Sequence, residues 1–288
     1  MPDATALYLD LLKQCLCGVI NPPGRREPIV TPAHCAAIIR NANEAFGRYL
    51  EPLGHTVETL MRQRTSIFTS DTLHAGLHGM HRETTPDTMS DLTSLDNLQL
   101  CTETAIREGV PGDLIETGIW KGGMPVLMRA ILKAHGITDR TVWAADSFMG
   151  MPKPDPATSL LDAIWHFMLE PLDSLRIPRD YVERIFSKYG LLDEQVRFLE
   201  GWFSDTLPIA PIQRLAVMRL DGDWYESTRT AIESLYPKLS PGGFIIVDDY
   251  GLPLGCRDAI DEYRHRNDID APIHWVNHQV IFWRKPSH

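Results

Sequence analysis

Three absences narrow what this chain can be. It has no surplus of positive charge: 28 lysines and arginines stand against 38 aspartates and glutamates, a formal net charge of −10. A nonspecific binder of nucleic acid or of an anionic membrane needs a basic face, so neither partner is expected. No apolar run approaches ~18 residues, and Met1-Pro2-Asp3 opens no basic leader; neither a membrane span nor an export signal is expected. Metal-type cysteine pairing is missing too. The five cysteines, Cys15, Cys17, Cys35, Cys101 and Cys256, include no C-x-x-C, which fits reduced thiols in a cytoplasmic protein. Internal repeats and low-complexity tracts are also absent.

What is present is ordinary globular material, 43% hydrophobic and 23% charged over 288 residues. That length can bury one large α/β core with an appendage. Residues 1–61 read as helical with a break at Asn21-Pro22-Pro23-Gly24. Thr31-Pro32 is an N-cap followed by proline at the first helical position. Residues 62–93 lose periodicity and carry His74, His78 and His81 without helical ligand spacing. They read as a mobile lid or an exposed linker, and the histidines as solvated rather than metal-binding.

From Leu92 the pattern is regular. A helix to about Gly109 precedes short apolar strands at 113–116, 141–145, 196–199, 215–220 and 243–247. Helices fit near 123–135, 180–190, 226–236 and 256–266, and a hairpin closes the chain at 273–276 and 280–283. Alternation of this kind predicts a doubly wound, mostly parallel sheet. The division expected is 1–91 for a helical extension with lid, and 92–288 for the α/β domain.

The segment Gly112-Asp113-Leu114-Ile115-Glu116-Thr117-Gly118-Ile119-Trp120-Lys121-Gly122-Gly123 carries most of the functional signal. A phosphate-binding turn would read G-x-G-x-x-G; here Trp120 takes the second glycine's place and Glu116 ends the strand. A carboxylate there repels phosphate and suits a cationic, hydroxyl-bearing ligand such as S-adenosylmethionine. Acids recur at the other strand ends: Asp146, then Asp221 with Asp223, then Asp248-Asp249. Each alone could cap a helix. Together they repel unless a cation or hydroxyl donors are present. Glu116 and Asp146 suit a nucleoside's amine and ribose. Asp221, Asp248 and Asp249 make an all-oxygen set for a hard divalent ion such as Mg²⁺. Asp223 would then accept a proton. Gly201-Trp202-Phe203-Ser204-Asp205 offers apolar rings to a purine.

Several motifs in order resemble the macrocin O-methyltransferase family, which includes sugar methyltransferases of mycinamicin, tylosin and novobiocin biosynthesis. They are Leu114-Ile115-Glu116-Thr117-Gly118, Trp143 through Phe148, Gly190 through Phe198, Gly201-Trp202-Phe203, Arg219 through Thr228 and Leu235 through Ser240. The resemblance spans roughly residues 85–265. It implies a class I (Rossmann-like) methyltransferase fold, with a mostly parallel seven-stranded sheet and a C-terminal antiparallel hairpin. It implies S-adenosylmethionine, Mg²⁺ on Asp221, Asp248 and Asp249, and a general base at Asp223. By the same matching, cofactor contacts fall on Thr88, Met89, Glu116, Thr117, Gly118, Ile119, Trp120, Asp146, Ser147, Phe148, Met149, Gly150, Ser204 and Asp205. The acceptor implied is a deoxysugar hydroxyl on a natural product, and the assembly a homo-oligomer.

Three stretches depart from the family pattern: the apolar 155–180 segment, Trp224, and the chain from Ile269 onward. These would line the acceptor pocket. Trp165 and Phe167 could pack on an aromatic ring, so a phenol or catechol acceptor is the alternative. A non-catalytic nucleoside-binding protein is a third reading, disfavoured by the run of strand-end acids.

Overall fold

The computed structural model of the chain describes residues 3–20, 31–64, 68–71, 73, 86–170 and 175–287. Among the described residues the chain opens with α1 (Ala4–Leu16), α2 (Pro32–Leu50) and α3 (Val57–Arg62). Thr31 caps α2 as expected, its hydroxyl accepting from the His34 N–H at 3.3 Å. Helix α4 (Leu92–Arg107) starts at Asp91, whose carboxylate accepts from Ser94 N–H at 2.8 Å.

The alternating part follows. β1 (Asp113–Thr117) leads to α5 (Gly123–Ala134), and β2 (Val142–Asp146) to α6 (Leu160–Leu169) and α7 (Arg179–Lys188). β3 (Val196–Glu200) precedes a single turn, α8 (Phe203–Thr206), and β4 (Leu215–Leu220) precedes α9 (Tyr225–Leu235). β5 (Leu239–Val247), α10 (Cys256–Arg266), β6 (His274–Trp275) and β7 (Ile281–Arg284) complete the chain. The predicted elements are all present, with ends moved by a residue or two. The exception is β5, which begins four residues earlier than the apolar run suggested.

The sheet runs β3-β2-β1-β4-β5-β7-β6. Strands β1 to β5 are parallel and β7 pairs antiparallel with β5 and β6. All six residues of β4 are buried, as a central strand covered on both faces requires. One face packs Leu9, Leu12 and Leu16 of α1 with α4, α5 and α7. The other packs α9, α10 and Trp283. Helix α1 therefore belongs to the core of the α/β body, although the sequence placed it in an extension.

A third core accounts for the apolar 155–180 segment. Leu161, Ala163, Ile164 and Met168 of α6 bury against Ile39, Phe46 and Leu50 of α2 and Val57 and Met61 of α3. Phe46 meets Phe167 edge-on at 5.7 Å, and Phe68 meets Trp165 at 5.8 Å. Hydrophobic burial against the N-terminal helices explains the segment's composition without an aromatic ligand. Half of the expected lid, including His74, His78 and His81, lies outside the described residues.

Candidate active site

Register brings the acids together. Thr117 pairs with Leu220, and Leu220 with Val247, so Asp221 and Asp248 follow side by side at the strand ends. Their N–H groups donate to Thr117 O and Leu220 O, each at 2.9 Å. Gly118 turns the chain away at φ 80°, and a Cβ there would strike the Asp221 carbonyl oxygen. No other residue type allows β1 and β4 to end so close. Trp120 keeps the left-handed conformation that a fingerprint glycine would have, at φ 48°.

Two adjoining cavities open over this edge. One, of about 560 Å³, lies over β1, β2 and β4 with Trp202, Phe203 and Ser204 along its wall. The other, of about 470 Å³, is bounded by Glu116, Arg219, Trp165, Trp224, His278 and Gln279. Met89, Trp120, Leu175, Asp221 and Asp223 border both. Such a pair suits two ligands meeting at the acids.

Arg219 organises the interior side. It is an arginine inside an apolar strand and fully buried. Its guanidinium pairs with Glu116, with Asp221 Oδ2 at 2.6 Å and with Asp248 Oδ2 at 2.6 Å, and donates to Ser90 Oγ at 3.2 Å. Glu116 Oε2, Thr117 Oγ1 and Asp248 Oδ1 are buried without a hydrogen-bond partner. An unfilled acceptor at Glu116 fits a ligand that brings its own donors, as the ammonium and hydroxyls of S-adenosylmethionine would. Burial raises the Glu116 carboxyl to about 7, with Arg219 opposing the shift.

On the solvent side the carboxylates of Asp221, Asp223 and Asp249 converge, one oxygen of each lying within 4.8 Å of the others. Asp223 stands in this group, and Asp248 instead turns to Arg219. The strand has ended at Val247: Asp248 has a helical backbone (φ −73°, ψ −57°) and Asp249 opens a 3-10 turn, so the two side chains leave in different directions. Asp223 holds a left-handed backbone, φ 56°, and its N–H donates to Asp249 Oδ2 at 3.2 Å. Burial, then the neighbouring like charges, pushes Asp221 and Asp223 well above the usual carboxylate range and Asp249 to about 7. An all-carboxylate set that resists ionisation alone fits a hard divalent cation.

The remaining expected residues divide. Thr88 is buried, and its hydroxyl accepts from Ser90 N–H at 3.1 Å. Thr88, Met89 and Ile119 reach the second cavity; Ser147, Gly150 and Ser204 reach the first. Asp146 also borders the first cavity, but both its oxygens already hold the turns around it. Oδ2 accepts from Ile119 N–H at 2.9 Å and Oδ1 from Phe148 N–H at 2.7 Å. Thr117, Phe148, Met149 and Asp205 border neither cavity. Phe148 belongs to the core against Phe198, and Asp205 is exposed, accepting from Ser204 Oγ. Arg219 and Ser90 were not singled out from the sequence.

Strand order, strand-end acids and paired cavities define a class I methyltransferase, a fold that implies S-adenosylmethionine as methyl donor. Residues 5–285 match the macrocin-O-methyltransferase (TylF) family, and the chain belongs to that family of O-methyltransferases. It is 54% identical over 197 residues to the 8-demethyl-8-(2,3-dimethoxy-alpha-L-rhamnosyl)-tetracenomycin-C 4'-O-methyltransferase of Streptomyces olivaceus, spanning 68% of this chain and 75% of that enzyme. The mycinamicin III 3''-O-methyltransferase of Micromonospora griseorubida is 45% identical over 247 residues, 83% of this chain and 96% of that one. The solved O-methyltransferase NovP superposes with a TM-score of 0.75 at 36% identity, over 98% of this chain and 99% of its own.

Proposed function

We propose that the protein is an S-adenosylmethionine- and Mg²⁺-dependent O-methyltransferase that acts on a hydroxyl of a deoxysugar carried by a natural product. The observation carrying this reading is the convergence of Asp221, Asp223 and Asp249 where the two cavities meet. The similarity to enzymes named for a rhamnosyl-tetracenomycin and a mycinamicin supports the sugar acceptor. Phe167 packs on Phe46 of α2, so of the two rings that suggested a catechol only Trp165 borders the second cavity.

In this reading the first cavity holds the nucleoside, with Trp202 and Phe203 beside the purine. Glu116 accepts from the donor's polar groups and Arg219 keeps its carboxylate in place. Asp221, Asp223 and Asp249 would hold the cation. When bound, it fixes a neighbouring oxygen and lowers a hydroxyl pKa. Asp223 takes the hydroxyl proton on its carboxylate, and the walls at Met89 and Trp120 exclude water and align the reacting pair. We also propose a homo-oligomer, supported by exposed Leu7 and Leu11 on α1 and Leu100 on α4. No helix among the described residues is long and apolar enough to cross a membrane.

The test is a panel of deoxysugar glycosides and catechols with S-adenosylmethionine, in Mg²⁺ and in EDTA. Turnover of glycosides that EDTA removes is expected. Turnover of catechols alone would overturn the acceptor, and full activity in EDTA would overturn the metal.

A further inference from the structure

We propose that Asp162 is a positioning residue for methyl transfer, clamping the turn that carries Asp223 to the segment that follows Asp249. It lies in α6, and the inference rests on the catalytic reading of the acid cluster.

Asp162 is an acid in the helix Leu160-Leu161-Asp162-Ala163-Ile164-Trp165, and only 1% exposed. Burying a carboxylate is costly unless hydrogen bonds replace its water. Here they come from two other helices. Oδ2 accepts from Tyr225 N–H at 2.7 Å and Oδ1 from Gly255 N–H at 2.7 Å. Tyr225 begins α9, and Gly255 immediately precedes α10. Neither helix has a side-chain cap of its own, since Trp224 and Gly255 fill those positions. One carboxylate thus does for two helix starts what a local Ser or Asp would do for each. Both helix dipoles also favour its negative charge.

The fit is close. A Cβ on Gly255 would collide with Asp162 Oδ2, so that position is closed to larger residues. One turn along α6, Trp165 Nε1 donates to Pro253 O at 2.8 Å, a second tie to the same segment. The turn from Asp221 to Tyr225 is therefore held at both ends: by β4 and Arg219 at Asp221, and by Asp162 at Tyr225. Between them Asp223 keeps its left-handed backbone, and Trp224 N–H donates to Gly222 O at 2.6 Å. Releasing Tyr225 lets that turn relax and moves the Asp223 carboxylate away from Asp221 and Asp249. The cofactor cavity is not bordered by Asp162.

The experiment titrates Mg²⁺ into the full-length protein saturated with S-adenosylhomocysteine, for wild type, Asp162→Asn and Asp162→Ala. Hydrogen exchange is followed at the Tyr225 and Gly255 amides, and S-adenosylhomocysteine affinity is measured in EDTA. Expected are Mg²⁺ affinities weaker by about tenfold for Asn and up to about a hundredfold for Ala. Exchange at both amides should quicken while S-adenosylhomocysteine affinity holds. Tyr225→Pro gives a gentler probe: it deletes one donor at a first helical position, where proline is accepted after an extended residue such as Trp224 (ψ 153°). It should weaken Mg²⁺ about threefold relative to Tyr225→Phe, which controls for the lost hydroxyl.

Unchanged exchange would overturn the clamp. Faster exchange with unchanged Mg²⁺ affinity would overturn the positioning role. Loss of both ligands together with a lower melting temperature would reduce Asp162 to a general structural part. If wild type itself binds no Mg²⁺, the metal reading fails separately, and exchange at the two amides alone decides the clamp.

Discussion

Glu116 and Asp223 are both carboxylates at strand ends of one sheet, yet the protein surrounds them differently. Glu116 is sealed against the Arg219 guanidinium, whose charge it shares with Asp221 and Asp248. Asp223 and Asp249 have no basic side chain in salt-bridge contact among the described residues, and their neighbours are acids. The interior side of the cluster is neutralised by the fold; the cavity side is left for protons or for a cation. Five carboxylates around one guanidinium cannot all be ionised cheaply in a buried edge. A half in which Arg219 holds Glu116 in place is thus distinct from a half in which Asp223 and Asp249 lack a basic partner among the described residues.

The sharpest way to break this comparison is Asp249→Ala. Turnover of a responsive glycoside should fall by at least about ten-thousandfold, about 5.5 kcal/mol of barrier. Affinity for S-adenosylhomocysteine should stay within about threefold, because the cofactor side keeps Glu116 and Arg219. Equal loss of both would mean the two halves are one. Arg219→Met attacks the other half. It leaves Glu116 and Asp248 buried without a partner, which costs about 3–5 kcal/mol, and calorimetric melting should show it in the apo protein. A variant that melts like wild type would show that Arg219 does not hold the edge together.

Ile164→Ala tests the third core, which meets the acid edge only through the neighbouring Asp162 and Trp165. Its side chain is fully buried in the third core between α6 and α2, so about 2–3 kcal/mol of stability should be lost. Cofactor affinity should be untouched. A matching loss of cofactor binding would tie α6 to the first cavity, which none of its residues borders.

The sheet and most of the acid edge were legible in the chain because both are local. Short apolar runs ending in acids and followed by helical stripes are readable one segment at a time. Pairings between distant segments are not. Arg219 sits among Leu215, Ala216, Val217, Met218 and Leu220, and only the register that sets it beside Glu116 makes it central. Asp248 and Asp249 are neighbours in sequence, and nothing local says that one turns to an arginine and the other to a cavity. The apolar 155–180 segment does line the second cavity, at Trp165, Leu169 and Leu175, but much of its apolar surface goes to α2 and α3, about a hundred residues earlier, which no local pattern shows. Asp162 was overlooked for the same reason, since the two N–H groups it binds come from Tyr225 and Gly255.

A pH dependence discriminates between the two halves. Glu116 and Asp249 are raised to about 7 in the fold, against about 4 in an unfolded chain. Between those values the native protein keeps protons that the unfolded chain has released. Stability therefore falls as pH rises through the window, and goes on falling where Asp221 and Asp223, raised in the same direction, lose their protons. The apo protein's melting temperature should drop from about pH 5 to about pH 8. Mg²⁺ should flatten the part of the slope that comes from Asp249, because a cation favours the ionised carboxylate, and leave the part from Glu116. Glu116→Gln should flatten that part. A slope that Mg²⁺ removes entirely would place Glu116 and Asp249 in one titrating unit, and the division at Arg219 would fail.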